Sequence, residues 1–218
     1  MANTFTDLLM DEEAQNQAAA DANRQHSEER IQIQEENLLN FREKNDRVGE
    51  FKTLITLGDL WYDAGDIGKA AHKYQASLNL AEELEERNIA ADLLDRLATI
   101  SYLIGYASDD EKYLDQAVEI CQQSIALYNE LGDQIGEARS ITTLGRVDLV
   151  RKRYEQAQEH FEKSLEIQQE VGDKLGQSET LLPLTIVTEL GGNIGKAASY
   201  RRAYVSVCEE LGIEPEDF

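Results

Sequence analysis

Apolar residues recur three and four positions apart along most of the chain, and this spacing is typical of helices with one buried face. Residues 54–62 and 117–128 show it clearly. No segment alternates apolar and polar residues between turn signals, as a half-buried strand would. We therefore predict an all-α fold.

Two series of small residues repeat along this helical pattern. One series is Ala70, Ala117, Ala157 and Ala197, with spacings of 47, 40 and 40 residues. The other is Gly58, Ala98, Gly145 and Thr185, with spacings of 40, 47 and 40 residues. Such a period indicates one helical hairpin repeated four times. Because a glycine inside a helix costs about 1 kcal/mol relative to alanine, we expect Gly58 and Gly145 to lie where another helix crosses closely.

The links between hairpins also repeat. Gly132-Asp133 recurs as Gly172-Asp173, and Asn45-Asp46 precedes the first hairpin at the same distance. Glycine or asparagine adopts the left-handed conformation that ends a helix, and aspartate caps the start of the next one. The helix that ends at Asn45 is therefore predicted to cap the array.

These residues resemble the tetratricopeptide repeat, in the branch with a period of 40 residues that includes kinesin light chain and bacterial peptide-sensing regulators. The likeness depends on the small residue after leucine, on Trp61, on the recurrent alanine, and on Tyr74 or Phe161 four residues beyond it. It implies an α-solenoid, wound as a right-handed superhelix, whose inner groove is lined by the first helix of each hairpin. Such a groove binds a protein or peptide segment.

The predicted organisation has four parts. They are an acidic, polar extension, flexible or partly helical, at residues 1–26, a capping helix at 27–46, four repeats within 47–212 (about 47–86, 87–131, 134–171 and 174–212), and an acidic tail at 213–218. The second repeat is seven residues longer than the others. We expect the extra residues, in 105–113, to form a surface insertion between its helices; the alternative is an acidic lip beside the groove. Pro183 is expected to kink the first helix of the fourth repeat, and the alternative is a binding feature.

The composition of the chain excludes some classes of partner and compartment. The formal net charge of −22 argues against double-stranded nucleic acid and an anionic membrane surface, since both attract clustered Lys and Arg. The N-terminus lacks the basic and apolar regions of a secretory signal, and no run of about 18 apolar residues occurs. Cys121 and Cys208 lie on apolar helix faces and are expected to be buried free thiols. The default prediction is a cytoplasmic protein.

The sequence contains no catalytic or metal-binding pattern. His26, His72 and His160 have no acidic, Cys or His neighbour at a metal-ligand spacing. Residues 191–197 resemble a phosphate-binding loop, but they lack its terminal Ser or Thr and follow no strand. The sequence therefore predicts a non-enzymatic protein without a metal or cofactor.

The resemblance assigns the partner-binding groove to the first helices. Its candidate residues are Lys52, Asp59, Tyr62, Arg96, Thr99, Arg139, Thr143, Arg146 and Ile186. The three arginines reverse the sign of a strongly acidic chain, and guanidinium groups suit carboxylates. We expect a partner segment that is acidic or ends in a free C-terminus; the alternative is ordinary salt bridging at the surface.

A second function remains open at this stage, namely self-assembly into a homo-oligomer. Apolar residues near both termini are the candidate contacts: Phe5, Leu8, Leu9, Tyr200, Tyr204 and Leu211. A third reading is an assembly factor or chaperone that holds a subunit of a larger complex. Both would use the same repeated scaffold.

Overall fold

The computed structural model describes residues 25–216, and every regular element in that range is an α-helix. The helices are α1 (residues 25–43), α2 (Arg47–Asp63), α3 (Ile67–Glu83), α4 (Arg87–Ser108), α5 (Glu111–Leu131), α6 (Gln134–Val150), α7 (Tyr154–Val171), α8 (Lys174–Leu190) and α9 (Ile194–Leu211). The all-α prediction is confirmed. The chain divides into two compact units, an N-terminal unit ending at Leu80 and a C-terminal unit beginning at Ala81.

In the N-terminal unit, α1 buries Ile31 and Leu38. Asn45 ends this helix with φ of 54°, and the carboxylate of Asp46 accepts a hydrogen bond of 2.9 Å from the backbone N–H of Gly49. The predicted link of left-handed residue and capping aspartate is therefore present before the first hairpin. Lys73 on α3 also forms an ion pair of 2.7 Å with Glu35 on α1, which ties the first helix to the hairpin.

In the C-terminal unit, consecutive helices pair into the hairpins α4–α5, α6–α7 and α8–α9. Gly132 and Gly172 have φ of 72° and 76° and end the helices between hairpins. Asp133 and Asp173 then accept hydrogen bonds of 3.0 and 2.9 Å from the third residue of the following helix. The first helix α6 contacts both α4 and α8, so the three first helices present one continuous surface.

The two mid-helix glycines lie at close helix crossings, as the sequence predicts. A Cβ atom at Gly145 would lie 2.7 Å from Cε1 of Phe161 on the paired helix, and a Cβ at Gly58 would meet the ring of Tyr74. Phe161 is completely buried and Tyr74 nearly so. A tightly packed aromatic ring on the second helix therefore requires glycine on the first.

A buried serine marks the same register in three hairpins. Ser77, Ser124 and Ser164 each donate a hydrogen bond to a backbone carbonyl of the first helix, over distances of 3.3, 3.4 and 2.7 Å. The acceptors are Phe51, Ala91 and Ala138. This bond satisfies a polar group inside each hairpin. It also shows that the hairpins are structural copies of one another.

The expectation of a surface insertion in the second repeat is wrong. Helix α4 has 22 residues where α2, α6 and α8 have 17, and α5 has 21 where α3 has 17. The extra residues lengthen both helices and leave only Asp109 and Asp110 between them. The lengthened ends pack together at Gly105, where a Cβ would lie 2.7 Å from Leu114. Continuing a helix also satisfies backbone hydrogen bonds that a loop would leave to water.

Helix α8 continues through Pro183 from Lys174 to Leu190. Cys121 and Cys208 are both free and buried, as predicted.

Candidate functional site

A polar cleft lies on the surface formed by α4, α6 and α8. Its volume is about 190 Å³, and its lining comes from those three helices and from the end of α7. The lining residues are Asp95, Thr99, Arg139, Thr142, Thr143, Arg146, Gln168 and Glu179. We call this site the polar cleft.

The structure brings together four of the residues that the sequence assigned to a binding groove. Thr99, Arg139, Thr143 and Arg146 all line the polar cleft. Arg96 is exposed on α4, and Ile186 is 41% exposed on α8, but neither lines it. The remaining candidates belong to the N-terminal unit, where Lys52 and Tyr62 are exposed. There, Asp59 accepts a hydrogen bond of 2.6 Å from the hydroxyl of Tyr74.

Arg139 is held in place by acidic and phenolic groups. Its guanidinium donates hydrogen bonds of 2.9 Å to Asp92 and to the Tyr128 hydroxyl, and it lies 3.3 Å from Asp95. The Tyr128 hydroxyl in turn donates to Asp92 over 2.8 Å. Burial alone would lower the pKa of Arg139, but Asp95, Tyr128 and Asp92 outweigh it and raise that pKa. Arg139 is therefore a fixed positive charge whose donors are largely used within the protein.

Asp95 lines the polar cleft, and its side chain is 13% exposed. Burial raises the pKa of this carboxyl above 3.8, while a hydrogen bond from Ser140 and the charge of Arg139 oppose the shift. The Ser140 hydroxyl donates to Asp95 over 2.7 Å. The carboxylate is thus anchored from two sides, which fixes its position in the polar cleft.

Arg146 differs from Arg139 although both project from α6. It is half-buried, and within residues 25–216 no carboxylate lies within ion-pair distance of its guanidinium. Glu179, which lines the polar cleft from α8, is exposed and likewise has no ion pair in that range. The site therefore presents one positive and one negative group whose charges the surrounding described residues do not neutralise.

Gln168 is a cleft residue that the sequence reasoning missed. Its side chain is 1% exposed, and its Nε2 donates to Thr180 over 3.0 Å. The Oε1 atom is buried without a hydrogen-bond partner among the described residues. The sequence feature that could have revealed this residue is the repeat, because Gln168 follows Tyr128 by 40 residues. A glutamine at a position where the preceding repeat has a buried aromatic leaves space for the polar cleft.

The structure also constrains the candidate oligomer contacts. Tyr204 is 5% exposed, and its hydroxyl accepts a hydrogen bond of 3.0 Å from the backbone N–H of Glu216. Tyr200 is half-buried and donates to Glu162 over 3.0 Å, whereas Leu211 is 37% exposed. Of these candidate contacts, Tyr204 therefore packs in the core, where little of its side chain is available to another copy. Phe5, Leu8 and Leu9 lie outside the described residues.

The comparisons with known proteins agree with this fold. Residues 96–170 match the tetratricopeptide repeat family, so this part of the chain is similar to tetratricopeptide repeats. The matched residues include Arg139, Arg146 and Gln168. No curated protein matches the chain.

Three solved structures illustrate the likeness. The apo form of RapI superposes with a TM-score of 0.71 at 19% identity, over 86% of this chain and 50% of that one. Aspartyl phosphate phosphatase F from Bacillus subtilis gives 0.68 at 15%, over 76% and 42%. Kinesin light chain TPR-like repeats from Podosopora anserina give 0.65 at 13%, over 90% and 93%. The chain thus spans about half the length of the first two of these structures, and the three likenesses establish the fold.

Two further observations concern residues 25–216. None of their helices combines the length and apolar character needed to cross a bilayer. The same residues hold no group of three or more His, Cys, Asp or Glu side chains arranged to bind a metal ion.

Proposed function

We propose that this protein is a non-enzymatic interaction scaffold that binds a carboxylate-bearing segment of a partner protein in the polar cleft. Tetratricopeptide repeats generally mediate protein–protein interaction, which supports the class of function. The surface of α4, α6 and α8 supplies the site. The carboxylate belongs either to an acidic side chain or to a free C-terminus.

One observation carries the proposal. Arg146 lines a cleft without an ion-pair partner among the described residues, in a chain of net charge −22 where acidic groups are abundant. A half-buried cation surrounded by low-dielectric protein is attracted strongly to an anion. A planar guanidinium also binds a carboxylate through two parallel hydrogen bonds. Arg146 is therefore the residue whose charge a partner would neutralise.

The rest of the polar cleft favours binding because it is already ordered. Arg139 and Asp95 fix each other, and the hydroxyls of Thr142 and Thr180 are 3.0 Å apart on neighbouring helices. Groups held in this way lose little conformational entropy when a ligand arrives. Glu179 would favour one orientation of the bound segment, because it would repel a second carboxylate close to it and accept hydrogen bonds from a partner's N–H groups.

The test uses two mixtures of fluorescent hexapeptides and the full chain. One mixture has Asp or Glu in its last two positions and a free C-terminus; the other has Asn or Gln and an amidated C-terminus. We expect fluorescence anisotropy to show tighter binding of the first mixture. Arg146→Gln should weaken that binding at least tenfold, or about 1.4 kcal/mol. Binding should also weaken with added salt because the contact is electrostatic.

Lys112→Glu is the matched control. Lys112 is exposed on α5 in the same unit and does not line the polar cleft. It changes the net charge by the same amount as Arg146→Glu, a second variant of the cleft arginine that reverses its charge. Equal loss of binding in these two variants would show that only the overall charge matters, and the proposal would fail. Peptides that pair an amidated C-terminus with acidic side chains then distinguish the two sources of carboxylate.

The name of the Bacillus subtilis neighbour describes a phosphatase activity of that protein, at 15% identity. Our proposal predicts that this chain releases no phosphate from a phosphoaspartyl protein above the uncatalysed rate. An assembly-factor role would use the same polar cleft for a transient client, and the binding lifetime measured with that client would identify it.

A further inference from the structure

A second concave surface lies on the last hairpin, away from the residues of the polar cleft. It has a volume of about 490 Å³ and is formed mainly by α9. Its floor is largely apolar, with Ile194, Ala198 and Val205 in line along the helix. Arg201 lies on the same face between Ala198 and Val205, and Arg202 lies beside it. Ile194 is 60% exposed. We call this surface the α9 groove.

The register of the repeat shows what kind of surface this is. Val205 follows Leu165 of α7 by 40 residues, and Leu165 is buried with residues of α8 and α9 around it. Ile194 likewise follows Tyr154, which packs against the same core cluster. The α9 groove is thus formed by the face of α9 that corresponds to the face of α7 packed against the next hairpin. Such faces bury their apolar residues only against another element.

We propose that the α9 groove binds residues 4–10 of a second copy of this chain. This segment contains Phe5, Leu8 and Leu9 at the i, i+3, i+4 spacing by which apolar anchors enter a hydrophobic groove. The other large apolar residues among residues 1–24 are Met1 and Met10. The rest of these residues are polar, charged or small.

The first 24 residues are acidic, and the charged residues that line the α9 groove are two arginines and two glutamates. The first 24 residues contain Asp7, Asp11, Glu12, Glu13 and Asp21 against one arginine, Arg24. At the α9 groove, Arg202 bonds to the hydroxyl of Ser199 over 3.0 Å and has no ion pair among the described residues. Arg201 lies 3.4 Å from Glu189, and Glu209 lines the far end. The acidic residues beside the segment would therefore lie at the Arg202 edge.

This contact joins two different surfaces of the same chain, so it is heterologous and does not close on itself at the dimer. Heterologous contacts add further copies in a row unless their rotation closes a ring. The expected behaviour is association that grows with protein concentration. It does not depend on the polar cleft.

The test is sedimentation velocity of the full chain from about 1 to 200 μM, with variants of each surface. Leu8→Asp disrupts the segment, and Ala198→Glu places a charge in the α9 groove at an exposed position. We expect the wild type to form dimers and larger species. Each variant alone should weaken association at least tenfold, with an unchanged far-ultraviolet circular dichroism spectrum.

Mixing the two variants tests most directly whether the segment of one copy binds the α9 groove of another. Leu8→Asp retains an intact α9 groove and Ala198→Glu retains an intact segment, so the mixture should form one-to-one dimers and nothing larger. A synthetic peptide of residues 1–16 should dissociate wild-type assemblies. A wild type that stays monomeric, including through a segment bound to its own groove, overturns the proposal. A mixture that fails to dimerise, or variants that associate like the wild type, overturns it equally.

Discussion

Gly145→Ala tests the packing that the repeated hairpin requires. The new Cβ would lie 2.7 Å from Cε1 of Phe161, well inside van der Waals contact, and the ring is completely buried. Overpacking a closed core costs about 1–3 kcal/mol. The substitution also gains about 1 kcal/mol of helix propensity. The net change is therefore expected to lie between neutral and about 2 kcal/mol destabilising.

Gly195→Ala is the control that separates these effects. Gly195 is also helical, and nothing lies within 4 Å of a Cβ built there. It receives a propensity gain without the clash. We expect urea unfolding, followed by circular dichroism, to show Gly145→Ala less stable than Gly195→Ala by about 1–3 kcal/mol. Adding Phe161→Leu to Gly145→Ala should recover part of the difference. Equal stabilisation by the two alanines would refute the close crossing.

Two further predictions concern a helix cap and a buried carboxyl. Asp133→Ala should lower the free energy of unfolding by about 0.5–2 kcal/mol, since it removes the carboxylate that accepts a hydrogen bond from Gly136 N–H. The control Glu86→Ala should change that free energy little, because Glu86 makes no side-chain cap bond. Equal losses in the two variants would contradict the capping role of Asp133. Burial raises the pKa of Asp95 above 3.8, so the native state holds this proton more tightly than the unfolded state, and stability falls as the pH rises through the folded pKa. Asp95→Asn should therefore gain stability relative to wild type in urea titrations as the pH rises above the ordinary pKa of aspartate, and a pH-independent difference would contradict the burial argument.

The hairpins could be predicted because their signals are local. The spacing of the apolar residues indicates the helical period. Asn45, Gly132 and Gly172 are residue types that adopt the left-handed conformation readily, and each of them has it in the structure. The lengthened helices of the second repeat could not be predicted in the same way. Their extent depends on the contact of Gly105 with Leu114, which forms only after the two helices pair.

The polar cleft was predicted in part. Position along the first helices was enough to select Arg139 and Arg146, but their different roles depend on tertiary neighbours. Arg139 is neutralised by Asp92 of another helix, a residue that the sequence did not single out. Gln168 was missed because glutamine on a helix is usually a surface residue. Comparing it with Tyr128 one repeat earlier would have revealed it.

The most direct test of carboxylate binding in the polar cleft is backbone and arginine side-chain NMR of the full chain, titrated with the acidic, free-carboxylate hexapeptide mixture. We expect the largest shifts on the lining residues of α4, α6 and α8, with the Nε–H signal of Arg146 among them. Arg146→Gln should abolish these shifts. Shifts centred on another surface, or an Arg146 signal that stays unchanged while the peptides bind, would contradict binding in the polar cleft.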